Sequence, residues 1–162
     1  MGDRGLLLRL SSFEIRPMDQ AEAEAVADWS YEPPYDFYDF RKDPEDLAEL
    51  FNADVRAGDY HSVYRDGDLV GFFSFKVRDD VVELGLGLRP DLTGAGLGAE
   101  FVRAGIDHAV RAFRPRELML DVATFNDRAR KVYERAGFLP SHVWTHTSGQ
   151  GPVEFLRMTR PA

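Results

Sequence analysis

The chain has 162 residues, 44% of them hydrophobic and 30% charged, with no cysteine and a formal net charge of −8. That is the length of one domain able to bury about two-thirds of its unfolded surface, and it excludes a disulfide scaffold, a thiolate nucleophile and a thiolate metal site. The acidic balance argues against a nucleic-acid partner and suits solubility or a cationic one, no apolar run is long enough to span a bilayer, and the missing cysteines fit a reducing, cytoplasmic setting.

Residues 1–12 read as a loose extension, because Leu6-Leu7-Leu8 is broken by Arg9 and lacks the apolar length of a signal peptide. Residues 13–162 read as the domain. Phe13–Arg16 is a short strand stopped by Pro17, and Asp19 with Glu22 three residues on opens a helix running to Trp29. Residues 30–42 have no clean period. Asp43 caps a second helix with Pro44 at its first position, an apolar stripe of Leu47, Leu50, Phe51 and Val55, and an end at Gly58.

From Tyr60 the period becomes two. His61–Arg65 and Leu69–Val77 flank the hairpin turn Asp66-Gly67, and Val81–Leu88 completes a three-stranded meander. A helix from Gly96 to Phe113 follows, then a short apolar strand, Leu118–Val122, of the kind found in mid-sheet. A helix from Asp127 to Ala136 and two last strands, 139–147 and 153–159, give the order β-α-α-β-β-β-α-β-α-β-β. The expected class is α/β (α+β), one mixed sheet with helices on both faces.

Gly94, Gly96 and Gly98 alternate where strand gives way to helix. Glycine lets backbone N–H groups approach an anion, and the helix terminus adds positive dipole, so the implied ligand carries phosphate. A tightly packed turn is the plain structural alternative. Gly94, Gly96 and Ala99 also satisfy G-x-G-x-x-G/A, with Asp121 near the ribose-binding offset of a dinucleotide fold. Context opposes that reading: the preceding strand ends an antiparallel meander, Arg89–Thr93 intervene, and too little chain follows for a second βαβ half.

The run Leu86–Gly98, followed by Asn126-x-x-Ala129-x-x-x-Tyr133-Glu134-x-x-Gly137-Phe138, resembles the cofactor-binding core of the GNAT superfamily of acetyl-CoA-dependent N-acetyltransferases. Specific motifs lie only in these two segments. The resemblance implies acetyl-CoA as acyl donor, with no metal, held by backbone of Leu86 and Leu88 and by the loop Thr93, Gly94, Ala95, Gly96, Leu97 and Gly98. Thr93 departs from the pattern, which has Arg or Gln there. Asn126 sits where a helix cap belongs, and the resemblance adds a contact to the pantetheine arm. Tyr133 reads as a core aromatic by spacing and, by resemblance, as the acid that protonates the departing thiolate.

Direct attack by an amine requires its neutral form, so a base is wanted. The resemblance points to a carboxylate on the strand entering the loop, where Glu83 is the one available; a solvated strand-end carboxylate is the other reading. Alternation places Glu83 with Gly85 and Gly87, whose face leaves space for a ligand. The segment Trp29–Phe40 packs six aromatics and three carboxylates into twelve residues, a composition suited to a cation, with Tyr31, Glu32 and Tyr35 as acceptor-binding candidates. Clamping of this loop over the sheet by its aromatics is the alternative. His142 and His146 have zinc-like spacing but lie on a strand, so no metal site is indicated.

The expected acceptor is an amine-bearing small molecule or peptide, the expected state a monomer or homodimer, and the alternative function a non-catalytic acyl-CoA-binding or sensing domain. One geometric expectation is sharp: Val81–Leu88 and Leu118–Val122 run parallel but splay apart, freeing backbone of Leu86 and Leu88.

Overall fold

A computed structural model describes residues 12–148 and 150–162, so the extension expected at 1–12 lies, apart from Ser12, outside the described residues. The strands are β1 (Glu14–Pro17), β2 (Tyr60–Arg65), β3 (Asp68–Arg78), β4 (Val81–Leu88), β5 (Glu117–Ala123), β6 (Leu139–Ser148) and β7 (Gly151–Pro161). The helices are α1 (Gln20–Ala27), α2 (Pro44–Phe51), α3 (Ala53–Asp59), α4 (Gly98–Phe113) and α5 (Asp127–Arg135). They surround one seven-stranded mixed sheet in the order β1-β2-β3-β4-β5-β7-β6.

Local chemistry sets the boundaries. Asp19 and Glu22 form a reciprocal capping box at α1. Asp43 caps α2 by accepting from the amides of Glu45 and Asp46, with Pro44 in the first turn. The single helix expected over residues 44–58 is instead two. Asn52 takes extended backbone (φ −78°, ψ 113°), and its Oδ1 accepts from Asp54 and Val55 amides to start α3. A mid-helix asparagine offered the backbone a cap, and the cap prevailed.

The β2–β3 turn has Asp66 and Gly67 both at positive φ, as a two-residue hairpin requires. Residues 30–42 form two short 3₁₀ turns, Tyr35–Tyr38 and Phe40–Lys42. α4 starts two residues later than the glycine pattern suggests, because Gly94 (φ 75°) and Gly96 (φ 82°) belong to the preceding turn.

The main core lies between the sheet and α4 with α5. Phe73, Phe101, Leu118 and Phe138 are fully buried there, and the rings of Phe73 and Phe101 stack at 4.5 Å. On the opposite face α1 and α2 cover Met18, Tyr60 and Leu50, with Phe72 packed alongside.

β4 pairs with β3 along its whole length, from Arg78↔Val81 to Gly71↔Leu88. Toward β5 the parallel ladder covers only Val81↔Glu117 to Glu83↔Met119. β5 meanwhile pairs along its whole length with β7, from Glu117↔Pro161 to Ala123↔Phe155. The expected splay is therefore present, and it opens beyond Glu83. No helix among the described residues is long and apolar enough to cross a membrane.

Candidate active site

The splay opens into a cleft of about 760 Å³ that runs from the glycine loop to the sheet face under α2. The amide of Arg89 donates to Val70 on β3, so alternation turns the backbone groups of Leu88 and Leu86 into the gap. One of these groups is already engaged: the Tyr31 phenol donates to the Leu88 carbonyl at 2.6 Å. Tyr31, expected among acceptor-binding residues, thus ties down the end of β4.

At the loop, Leu97 precedes α4 without any side-chain cap, so the first amides of the helix meet no side-chain acceptor. Thr93 behaves differently from its neighbours. Its amide and its hydroxyl both donate to the Pro90 carbonyl, at 3.3 and 2.8 Å, which leaves Gly94 to Gly98 as the available anion cradle. Gly94, Gly96 and Gly98 line the cleft. Ala95 is exposed and Leu97 half-buried outside that lining.

Asn126 caps α5, its Oδ1 accepting from the Ala129 amide at 3.1 Å, while its Nδ2 donates to the Tyr38 hydroxyl at 3.1 Å. Most of its side-chain capacity is therefore spent inside the protein. Tyr133 lines the cleft and packs edge-on against Phe138. Burial, with a smaller contribution from nearby Tyr38, raises the Tyr133 phenol above its ordinary range, so it keeps its proton at neutral pH. Such a phenol can donate a hydrogen bond into the cleft, and its raised pKa makes it a weaker acid than a free tyrosine.

Glu83 lines the cleft opposite Lys76 on β3. The space expected beside it at Gly85 and Gly87 is not empty. A Cβ on Gly85 would meet Ser74 Oγ at 2.2 Å, and one on Gly87 would meet Phe72 Cε1 at 2.4 Å. The glycines make room for β3 side chains, which floor the cleft.

The far end carries the α2 cap Asp43, Asp46 and Glu49 from α2, and Trp144, His146 and Phe155 from the last hairpin. Lys76 pairs with Glu49 at 2.6 Å. Arg157 grips Asp121 with two bonds of 3.0 Å, and the Trp144 indole donates to the same carboxylate at 3.0 Å. Asp121, the ribose ligand of the dinucleotide reading, is thereby committed elsewhere. The Asp46 carboxylate has no hydrogen-bond or ion-pair partner among the described residues. Although the residue is exposed at the surface, partial desolvation of its carboxyl in the cleft pushes it up to about 6, with Asp43 and Glu49 adding to the rise and Lys76 and His146 opposing it.

Of the remaining candidates, Tyr35 sits at the glycine-loop mouth with its ring against Arg128, whereas Glu32 is exposed and outside the cleft lining. His142 bonds its neighbour Ser141 away from the cleft. Sequence reasoning missed Tyr38, Asp46 and Arg128. Tyr38 lies in an aperiodic segment, and Asp46 has the pattern of an ordinary first-turn acid. Arg128 stands inside the Asn126–Phe138 motif at a position to which that motif gives no role.

Comparison with known proteins places the chain in a family and shows which solved structures share its fold. Residues 12–139 match the family described as acetyltransferase (GNAT) domain, so the chain belongs to that family. A mycothiol acetyltransferase from Streptomyces coelicolor is 42% identical over 79 residues, which are 46% of this chain and 25% of that protein. The chain thus matches about a quarter of the length of that relative. The fold is shared with a GNAT-family acetyltransferase from Bacillus anthracis (TM-score 0.73, 17% identity, covering 92% of this chain and 94% of the other). An aminoglycoside acetyltransferase solved with coenzyme A is also similar (TM-score 0.69, 21% identity, covering 92% and 95%).

Proposed function

We propose that this protein is an N-acetyltransferase that moves an acetyl group from acetyl-CoA to a primary amine of a cationic small molecule or peptide, both bound at once. The splay carries the reading. It exposes Leu86 backbone to an amide-rich arm, with a phosphate-suited loop at one end and a carboxylate-lined pocket at the other. Acetyl-CoA supplies the activated acyl thioester.

Gly94–Gly98 amides hold its phosphates and Leu86 orients its arm. Asp46 and Glu83 attract the acceptor as a cation, and Glu83 takes the amine's proton. Tyr133 gives its proton to the thiolate and regains one from the newly acylated nitrogen, while Glu83 passes the first proton to solvent. The N–C bond forms as the C–S bond breaks, and Asn126 steadies Tyr38 beside Tyr133.

A non-catalytic acyl-CoA-binding domain would share the loop and the splay. The position of Tyr133 in the cleft lining supports the enzyme, since its hydroxyl can serve as the proton donor to a departing thiolate. The purified protein, given acetyl-CoA and a panel of polyamines, aminoglycosides and peptides, should release free thiol with at least one amine. CoA-dependent stabilisation without thiol release from any member would support the binding domain instead.

A further inference from the structure

Two arginines of α5 are treated differently. Arg130 pairs within its own helix, with Asp127 at 2.9 Å and Glu134 at 3.8 Å. Arg128 pairs with no carboxylate among the described residues. Its guanidinium lies 4.2 Å over the ring of Tyr35, and a Cβ placed on Gly94 would meet its Nη1 at 3.6 Å. In a chain of net charge −8, an arginine held by an aromatic face against a glycine loop is a cation kept for an external anion.

Its surroundings fit a phosphate. Gly94 and Gly96 turn at positive φ beside the uncapped start of α4. Thr93, at the position where the family pattern places Arg or Gln, spends its hydroxyl on Pro90 and brings no charge. We propose that Arg128, steered by Tyr35, is the phosphate-binding cation of the cofactor site, supplied by the second motif in place of the side chain that Thr93 lacks. Tyr35 is then a positioning residue at the cofactor end. This rests on the acetyl-CoA reading of the cleft. Because Arg128 lies against Gly94, its target is the pyrophosphate, not the 3′-phosphate.

Calorimetric titration with CoA and with dephospho-CoA, which lacks the 3′-phosphate, tests the assignment. Arg128→Met should weaken both ligands by a similar factor of about tenfold or more, with a shallower salt dependence than wild type. Tyr35→Leu should weaken CoA several-fold while Tyr35→Phe, which keeps the ring, binds as wild type. In the Arg128→Met background Tyr35→Leu should add nothing. CoA affinity within twofold of wild type in folded Arg128→Met would overturn the proposal, as would a loss confined to CoA and absent with dephospho-CoA. Wild-type protein that binds neither ligand would overturn the cofactor reading itself.

Discussion

The Tyr31 phenol reaches across from the segment after α1 to donate to the Leu88 carbonyl at 2.6 Å, fastening the loop to the last residue of β4. This bond fixes the height of the strand end from which the glycine loop departs. Tyr31→Phe keeps the ring but leaves that half-buried carbonyl without its donor. A loss of about 1 kcal/mol is expected, read as a lower urea midpoint at constant slope. An unchanged midpoint would show that solvent replaces the phenol without cost.

In the proposed reaction Tyr133 and Glu83 divide the proton traffic. Tyr133→Phe should lower kcat by roughly 10²–10⁴-fold while CoA affinity stays near wild type. Glu83→Gln should cost most at low pH, where neutral amine is scarce. A loss under about threefold in either folded variant would assign that transfer to water.

At the end of the cleft proposed for the acceptor, the Asp46 carboxyl is pushed up to about 6. It is charged above that value and neutral below it, so kcat/KM for a cationic acceptor should fall as pH drops through about 6. In Asp46→Asn that inflection should vanish and the acceptor KM should rise at neutral pH. Persistence of the inflection in Asp46→Asn would transfer it to another group.

Gly96 has open space around its missing Cβ but stands at φ 82°. Gly96→Val therefore meets backbone strain as well as blocking close approach to a phosphate, and should weaken CoA by about tenfold or more. CoA affinity equal to wild type in the folded variant would place the phosphates elsewhere.

His61 and His108 face each other between β2 and α4, ring centroids 5.2 Å apart, and both are held below the usual imidazole range, chiefly by burial. The unfolded chain takes up these protons at higher pH than the folded one. Stability is accordingly full above about 6.5 and declines as pH falls below it. His108→Gln should flatten the dependence of Tm between pH 7 and 5; an equally steep profile would clear the pair of responsibility.

Much of this architecture is legible in the residues. The meander is readable because Asp66-Gly67 and the Val81–Leu88 alternation are local signals, and β4 ends where expected. The splay follows from the two motifs together. Asn52 defeats the reading of α2 because an apolar stripe continues past a residue that prefers to cap. The face of Gly85 and Gly87 differs from expectation since alternation shows which way a position points, not that Ser74 and Phe72 reach across to fill it. Tyr31, Tyr35 and Tyr38 are visible as an aromatic cluster. Their division between β4, Arg128 and Asn126 depends on the path of an aperiodic loop, which no periodicity encodes.

The short ladder between β4 and β5 has a mechanical consequence. The sheet is two stiff plates, β1 to β4 and β5 to β7, joined across the middle by three residue pairs at one end. Any molecule lying along the notch acts as substitute rungs, linking plates that the polypeptide leaves parted. The rigidity of the whole sheet then belongs to the complex more than to the chain alone, and slow amide exchange should spread across β5 only when the notch is filled.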